Sequence, residues 1–368
     1  MNLHLCIDDK FHQGFIRHQK TYAPDSHNDY YVVGTARRKQ GTPEDQEVTR
    51  ISIAGMKKIL RSSGMKRYRQ VLFHSLPGRF RKHLLPFIPA DMPVTWIFYG
   101  YEYYHRRAVI REYLGTATRA YYDSMQNPQY YQLKFQRVLD ILRREDDQYQ
   151  KDLQRIDRFA HWNPAEYHMI RDRYDLTHME YAPFAMGQKI HKNVPDLRHR
   201  DLLFGHSGAV TVNHLDGIKA LSEELIAGYD RIIIPFSYGA NKRYEALVRK
   251  AARNKMGDKA LFLHRFLNRQ SYFNVLSRVK LAWMPQMRGM GGGNLLYCLQ
   301  NHIPIVLPEE SGFYRYYTGQ GFRVFSMKDH QHKAPVLHDE EKRRNQELLY
   351  QNFGLDTIAE QYRRLVGR

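Results

Sequence analysis

Short apolar runs alternate with longer amphipathic or polar stretches along most of this chain. In the first half the apolar runs cover residues 3–7, 30–33, 70–74, 94–98 and 155–159. Runs of this length, separated by longer connections, predict parallel strands joined by crossover helices. Between them, residues 103–114, 117–125 and 130–149 have the pattern of helices and are rich in Arg and Tyr.

The second half repeats this alternation. It predicts strands at residues 201–205, 231–236, 260–264, 303–307 and 322–325, and helices at 213–226, 242–254, 269–278 and 341–366. The stretch before it contains Pro183, Gly187 and Pro195 and shows no clear period. We therefore expect two doubly wound α/β domains with a cleft between them, at 1–185 and 201–368, joined by a linker at 186–200.

Charge narrows the partners that the chain can have. The 57 basic residues exceed the 38 acidic ones, so the formal net charge is +19, and 27 residues are Tyr. This excess predicts an anionic partner, either nucleic acid, an anionic membrane surface or a phosphorylated substrate. Cys6 and Cys298 are isolated, which favours a reducing compartment. We see neither a signal peptide nor an apolar run of about 18 residues, so we expect a cytoplasmic protein that meets a membrane only from its surface.

The segment at 282–307 carries the strongest chemical signal. It has the pattern of a strand, a glycine loop, a helix and a strand, with Gly291, Gly293 and Asn294 at the loop and helix start and Arg288 before them. Glycines allow close approach to a ligand, and the helix start offers free N–H groups to an anion. A dinucleotide fingerprint belongs after a first strand, so a diphosphate site of a nucleotide-sugar enzyme is favoured. The alternative is a flexible glycine turn.

Two further loops follow predicted strands. One contains Ser207, Thr211 and Asn213, whose hydroxyl and amide groups suit phosphate or sugar oxygens. The alternative is plain helix capping by Thr211 or Asn213. The other contains Ser237, Tyr238 and Gly239 ahead of two basic residues at a helix start, where a bound anion would offset their repulsion by the helix dipole. The alternative there is a solvated basic turn.

These loops resemble, in order and spacing, a known enzyme family. The matching motifs are Gly205-His-Ser-Gly208, Thr211-Val-Asn-His214, Pro235-Phe-Ser-Tyr-Gly239, the loop 288–294 and His302-Ile-Pro304. More weakly, Phe73-His74 and the stretch 96–104 match in the first half. The family is that of the TDP-N-acetylfucosamine:lipid II N-acetylfucosaminyltransferases, or 4-acetamido-4,6-dideoxygalactosyltransferases, of glycosyltransferase family 56. His206 in place of the usual Asn, a looser glycine loop, and Glu102 in place of Asp depart from its pattern.

The resemblance implies a GT-B glycosyltransferase with two Rossmann-like domains, the donor nucleotide in the second and the acceptor in the first. It implies no bridging metal and no cofactor. The donor would be a dTDP- or UDP-linked deoxy-amino sugar, and the acceptor a polyprenyl-diphosphate-linked saccharide of bacterial surface polysaccharide synthesis, at the cytoplasmic side of the inner membrane. Retention or inversion stays open, because Tyr297 stands where retaining enzymes often have Glu.

Candidates for a general base lie in the first domain. Glu102 follows a predicted strand and Gly100, and is the first choice; the alternative is a rim carboxylate paired with Arg106 or Arg107. His74 is the second choice, with a core histidine as its alternative, and His161 is a weaker third. Glu309 and Glu310, after another strand, are candidates to hold donor hydroxyls, or else solvated loop acids.

A basic, Tyr-rich segment at 103–149 is the candidate for membrane docking and acceptor guidance. Its proposed contacts are Arg106, Arg107, Arg111, Tyr121, Tyr122, Tyr130, Tyr131 and Arg137. Basic residues near an anionic surface contribute about 1 kcal/mol each. The alternative is a surface helical pair whose tyrosines pack on the domain. Two other classes also fit the charge and loops: a nucleic-acid-binding protein and a non-catalytic sugar-nucleotide binder.

Overall fold

The computed structural model describes residues 1–8, 10–34, 46–125, 135–187 and 195–367. The chain forms two compact units. The first comprises Met1–Ala108, Leu139–Gln188 and Phe353–Arg368, and the second comprises Val109–Val138 and Lys189–Asn352. Each is built around one parallel sheet, as the alternation of short apolar runs and helices predicts.

The first unit contains a seven-stranded sheet with the order β3-β2-β1-β4-β5-β6-β7. Every neighbouring pair is parallel. The strands are β1 Asn2–Cys6, β2 Asn28–Val33, β3 Val48–Ile51, β4 Gln70–His74, β5 Val94–Ile97, β6 Arg158–His161 and β7 Glu180–Pro183. Its helices are Lys10–Tyr22, Ile53–Leu60, Gly78–His83, Tyr101–Tyr104, Phe135–Leu153, Pro164–Tyr174 and Leu355–Val366.

The second unit contains a six-stranded sheet with the order β10-β9-β8-β11-β12-β13. It is also parallel. The strands are β8 Asp201–Phe204, β9 Arg231–Pro235, β10 Ala260–Leu263, β11 Val279–Trp283, β12 Ile305–Leu307 and β13 Phe325–Ser326. Its helices are Thr116–Met125, His214–Ala220, Glu223–Ala227, Lys242–Met256, Arg269–Leu276, Gly292–Gln300, Gly312–Gly319 and Asp339–Phe353.

The central strands of the second sheet carry its core. Leu202, Ile232, Ile234, Leu281 and Trp283 are buried in one cluster with the flanking helices. Near-continuous apolar strands of this kind are expected where helices cover both faces of a parallel sheet. Such a core fixes the carboxyl ends of β8, β9 and β11 side by side, and ligands bind at that edge in doubly wound sheets.

The unit boundaries differ from those expected from the sequence at two places. Residues 109–138 belong to the second unit, because Asp216 and Asn213 bind the backbone of this segment through hydrogen bonds. Helix Leu355–Val366 belongs to the first unit, where Tyr362 packs on Phe15 with ring centroids 5.2 Å apart. The pattern of apolar residues does not change where either segment joins the other unit. It therefore could not reveal these two boundaries.

Several predicted elements also need correction. Strands β3 and β7 were not predicted, and the helix expected at 103–114 is replaced by the short helix Tyr101–Tyr104 and a single 3₁₀ turn at Ile110–Tyr113. The helix expected at 213–226 is interrupted before Ser222, whose side chain accepts the Leu225 N–H and starts a new helix. The helix expected at 341–366 is interrupted at Gly354, which caps Leu355–Val366.

Within the described ranges, we find no helix that combines the length and the apolar character needed to cross a bilayer.

Candidate active site

Two loops of the second unit touch through their backbones at the carboxyl edge of the sheet. The loop after β8 donates the Gly208 N–H to the Tyr238 carbonyl in the loop after β9, at 2.8 Å. Gly239, with φ of +87°, lies so close that an added Cβ would be 3.0 Å from the Ala209 nitrogen. The glycines of both motifs therefore serve this close packing, which keeps Ser207 buried and Ser237 partly buried at the edge.

Arg288, in the loop after β11, is buried at this edge. Only 5% of its surface is exposed, and its Nε donates to the Thr211 hydroxyl at 3.0 Å. The same loop is braced by Gln286, whose amide donates to the Met290 carbonyl at 3.1 Å. Since Arg stays charged, these contacts fix a guanidinium beside the end of β8, where it can face an anion.

Gly291 caps the helix Gly292–Gln300 and approaches the β8 loop. Its φ is +77°, and a Cβ at this position would lie 2.6 Å from the Cγ of His206. The absence of a side chain thus lets the helix begin directly against the β8 loop. The first N–H groups of a helix attract anions, so Gly291, Gly293 and Arg288 fit the predicted diphosphate site.

Burial holds the histidine of this edge neutral, and it moves the pKa of the neighbouring tyrosine upward. Burial, followed by repulsion from Arg288 and His214, lowers the pKa of His206 to about 3. Burial raises the pKa of Tyr238, against the opposing effects of Ser207 and Arg288. The site therefore keeps the positive charge of Arg288 without adding a second charge at position 206.

Asn213 and Asn294 have different surroundings from each other. Asn213 has a φ of +62°, and its amide donates to the Tyr113 carbonyl and accepts the Gly115 N–H, each at 3.0 Å. Its side chain is thus engaged within the unit. Asn294 lies in the first turn of the glycine-loop helix and forms a hydrogen bond with Tyr272. Burial raises the pKa of Tyr272, and this hydrogen bond opposes the increase. Tyr272 was not predicted from the sequence as a residue near the site, because the helical segment that contains it carries no recognisable motif.

The two acids after β12 are both exposed. The Ser326 hydroxyl donates to Glu309 at 2.8 Å, so β13 orients this carboxylate. Helix Gly312–Gly319 begins immediately afterwards, capped by Ser311. Glu309 is therefore the better fixed of the two candidates for binding sugar hydroxyls.

In the first unit, Glu102 is buried at the carboxyl edge of the sheet. Its Oε1 accepts the Trp96 indole N–H at 3.0 Å and the Tyr99 backbone N–H at 3.1 Å. The carboxylate of Glu102 thus accepts from Trp96 and Tyr99, where the sequence had suggested pairing with Arg106 or Arg107 as the alternative. Burial raises the pKa of Glu102, and the hydrogen bonds from Tyr99, Trp96 and Ser75 oppose that rise.

His74 ends β4 and is completely enclosed. Its Nε2 lies 2.9 Å from His4 Nδ1, and its Nδ1 lies 3.2 Å from the Tyr99 hydroxyl. Burial and the neighbouring His4 and His12 hold the pKa of His74 well below its usual range. The next residue, Ser75, has a φ of +69°, a conformation that often marks functional loops. His161 is only partly buried, and its Nδ1 accepts the Asn163 N–H at 3.2 Å.

Several residues of the basic, Tyr-rich segment make contacts within their own unit. Arg106 donates to Asp146 at 2.6 Å and lies 3.5 Å from the ring centre of Tyr149. Arg111 pairs with Asp123, and the Tyr121 hydroxyl donates to Asn241 at 3.0 Å. Arg107 is exposed and Tyr122 is partly exposed. Tyr130, Tyr131 and the side chain of Arg137 lie outside the described residues.

In the described ranges we find no group of three or more His, Cys, Asp or Glu side chains placed to hold a metal ion. Cys6 and Cys298 are both buried, and neither is part of a disulfide bond.

Several solved structures share the fold of this chain. A glycosyltransferase from Rickettsia africae ESF-5 superposes with a TM-score of 0.57 at 10% identity, covering 99% of this chain and 98% of that one. An α,α-trehalose-phosphate synthase (UDP-forming) from Burkholderia vietnamiensis gives 0.60 at 11% identity, covering 99% and 98%. An α,α-trehalose 6-phosphate synthase from Burkholderia multivorans gives a TM-score of 0.60 at 12% identity, covering 99% of this chain and 94% of that one. The fold is therefore the GT-B fold, as predicted.

The family is defined by the sequence itself. The profile of the family described as 4-alpha-L-fucosyltransferase, glycosyl transferase group 56, matches residues 126–349, more than half of the chain. The protein belongs to this family and is a glycosyltransferase, which confirms the resemblance read from the loop motifs. A glycosyltransferase thus takes the place of the nucleic-acid-binding and non-catalytic alternatives considered from the sequence.

Proposed function

We propose that the enzyme transfers a deoxy-amino sugar, similar to 4-acetamido-4,6-dideoxygalactose, from a dTDP- or UDP-sugar to a polyprenyl-diphosphate-linked saccharide. In this proposal the second unit binds the donor and the first unit binds the acceptor. The reaction belongs to bacterial surface polysaccharide synthesis, at the cytoplasmic side of the inner membrane. Motif resemblance supports the choice of sugar, and the net charge of +19 supports anionic ligands and an anionic surface.

The observation that carries the proposal is the buried pairing of Arg288 with Thr211 beside the N-terminus of helix Gly292–Gln300. Departure of the nucleoside diphosphate concentrates negative charge on its phosphate oxygens. A fixed guanidinium and free helix N–H groups stabilise that charge without having to reorganise during the reaction. We assign Arg288, Gly291, Gly293 and Asn294 to the diphosphate, and Ser207, Thr211, Ser237, Tyr238 and Gly239 to the wall of the nucleotide site.

Glu102 is the proposed base for the attacking acceptor hydroxyl. Burial raises its pKa, which increases its affinity for a proton, and its hydrogen bonds from Trp96 and Tyr99 fix its orientation. On the donor side, Glu309 holds sugar hydroxyls, since the Ser326 hydroxyl orients its carboxylate. Exposed Arg107 and its neighbours in the basic segment contribute to the docking of the enzyme on the anionic leaflet.

Nucleotide binding tests the donor site directly. We would measure thermal shifts and calorimetric affinities for dTDP, UDP, GDP, ADP and CMP at moderate salt. Preferential binding of dTDP or UDP at micromolar level is expected. Arg288→Ala should weaken it at least about tenfold, since a charge-assisted hydrogen bond contributes about 1.5–3 kcal/mol. Absence of binding by all five nucleotides would refute the donor assignment.

Two matched controls separate chemistry from folding. Arg253 lies in the last turn of helix Lys242–Met256 and is exposed, so Arg253→Ala should leave nucleotide affinity unchanged. Thr211→Val removes the acceptor of the Arg288 hydrogen bond at nearly constant volume, whereas Thr211→Ser keeps it. Weakened binding in the valine variant, restored in the serine variant, is the expected pattern.

A further inference from the structure

A chain of buried and partly buried hydrogen bonds runs through the first unit and ends at Tyr99. It joins Asn2, Asn28, His4, His74 and Tyr99 across strands β2, β1 and β4. Polar side chains inside a parallel sheet need partners, because burying them unpaired costs free energy. The donor and the acceptor of each hydrogen bond can be deduced by starting at Asn2, the end of the chain opposite Tyr99. The groups there include an arginine, which can only donate, and backbone carbonyls, which can only accept.

At the end of the chain opposite Tyr99, two contacts fix the orientation of the Asn2 side-chain amide. Arg69, which can only donate, gives its Nε–H to the Asn2 Oδ1 at 2.9 Å. The Asn2 amide nitrogen donates to the Val366 carbonyl at 2.9 Å, and that carbonyl can only accept. Both contacts require the same amide orientation. Asn2 therefore donates to the Asn28 Oδ1, at 2.7 Å.

Asn28 is oriented independently by a second carbonyl. Its amide nitrogen donates to the Ser26 carbonyl at 2.9 Å, which leaves Oδ1 as the atom that faces His4 Nε2 at 3.0 Å. His4 must then carry its proton on Nε2. Burial lowers the pKa of His4 to about 3, so the ring is neutral and its Nδ1 is an acceptor.

The direction continues to the edge of the sheet. His74 Nε2, 2.9 Å from the His4 Nδ1 acceptor, has to donate, and the neutral His74 ring accepts at Nδ1. The Tyr99 hydroxyl, 3.2 Å away, therefore donates inward to His74. Because its single proton is used there, its oxygen can only accept from a ligand. Tyr99 is partly exposed just after β5, at the carboxyl edge where ligands bind.

We infer that the Tyr99 oxygen accepts a hydrogen bond from a ligand hydroxyl in the acceptor site of the first unit, and that His74, His4 and Asn28 are positioning residues that set this polarity. Such an edge favours ligand groups that donate, including sugar hydroxyls, and disfavours groups that only accept. The assignment of the ligand as the acceptor saccharide rests on the proposed function. The direction of donation along the chain of hydrogen bonds is independent of the proposed function.

The direction is measured on the protein alone by long-range ¹H–¹⁵N correlation spectra of ¹⁵N-histidine-labelled enzyme, which report the tautomer of each ring. His4 and His74 are both expected as Nε2–H tautomers. An Nδ1–H tautomer at His74 would overturn the inference. Asn28→Leu removes the acceptor for His4 and should produce mixed tautomers at His4 and His74, with His161 unchanged as an internal control.

The ligand contact is measured with paired tyrosine variants. Tyr99→Phe should raise KM for a short-chain polyprenyl-diphosphate-linked saccharide about 3- to 10-fold, as expected for one neutral hydrogen bond. Its dTDP or UDP affinity should be unchanged. Tyr101→Phe removes a hydroxyl that accepts from Ser75 and lies outside the chain, so it should leave KM unchanged. Equal KM in Tyr99→Phe and wild type would refute the ligand contact. Should no transfer be detected in the wild type, the proposed function fails, while the tautomer spectra still decide the direction.

Discussion

The carboxylate of Asp216 fills the space that a side chain at position 115 would need. A Cβ on Gly115 would lie 2.3 Å from the Asp216 Cγ. From this position Asp216 accepts the N–H groups of Ala117 and Thr118, at 2.8 and 3.0 Å, at the start of helix Thr116–Met125. The pair therefore joins the segment that begins at Val109 to the rest of the second unit.

Substitution of Gly115 tests this pairing. Gly115→Ala should destabilise the second unit by about 1–3 kcal/mol, the usual cost of an overpacked contact, because the carboxylate must move off the helix N-terminus. Hydrogen exchange at residues 115–118 should accelerate more than in the first unit. Gly319→Ala is the control, since nothing lies within 4 Å of an added Cβ there. Equal exchange in Gly115→Ala and wild type would contradict the role of the contact.

The contact of Gly291 with His206 is open to a double-mutant cycle. Gly291→Ala should weaken dTDP or UDP binding and lower stability, through the left-handed φ and the clash with the imidazole. His206→Ala removes the ring, so the double variant should be more stable than the sum predicts, by about 0.5–3 kcal/mol. Urea unfolding of the four proteins measures this coupling. Strict additivity would show that the ring and the helix start are independent.

Glu102→Gln separates a catalytic from a structural carboxylate. Glutamine keeps an oxygen that can accept from Trp96 and Tyr99, so folding and nucleotide affinity should be retained. If the carboxylate takes the acceptor proton, the loss of this base should reduce kcat by about 10²- to 10⁴-fold. Activity assays and circular dichroism on the same samples provide the comparison. Near-normal turnover would leave Glu102 as a buried support for the loop after β5.

Buried histidines should make the protein sensitive to acid. The pKa of His161 is lowered by burial from 6.5 to about 4, and the pKa values of His4, His206 and His214 are lowered to about 3. Between these values and 6.5 the unfolded chain binds more protons than the folded one. Stability therefore falls as pH decreases below 6.5, by about 1.4 kcal/mol per pH unit for each histidine.

Urea unfolding between pH 8 and 4.5 measures this dependence. Below pH 6.5, His161→Gln should reduce the slope of the free energy of unfolding against pH by up to about 1.4 kcal/mol per pH unit. Above pH 7, the free energies of unfolding of the variant and the wild type should change with pH in the same way. Identical slopes throughout would mean that His161 is not held neutral in the folded protein.

The sequence predicted the two parallel sheets well because their strands are buried on both faces. Runs such as Ile232 to Ile234 are apolar throughout and can be recognised without any partner. Strands β3 and β7 lie at the edges of their sheet and are only partly buried, so they carry no such run. The helix breaks at Ser222 and Gly354 depend on single capping residues, which a periodicity argument passes over.

The glycine loop could be recognised as a candidate diphosphate site for a different reason. Arg288 and Gly291 lie in the same short loop of the sequence, and their residue types indicate anion binding without knowledge of the fold. The chain from Asn2 to Tyr99 was not predicted, because its members come from four separate segments. One signal was present: Asn2 and His4 alternate with leucines in a strand that is completely buried. Such a pattern indicates that polar partners approach from neighbouring strands.

The order in which the segments of the first unit are synthesised has a consequence for folding on the ribosome. Helix Leu355–Val366 packs on helix Lys10–Tyr22 and accepts a hydrogen bond from Asn2, although it follows the whole of the second unit in the chain. Domains usually fold as they emerge. Here the second unit is fully translated before the first can be completed. Nascent chains that stop short of residue 355 should expose the apolar face of helix Lys10–Tyr22, including Phe15, and should depend on chaperones until helix Leu355–Val366 has been synthesised.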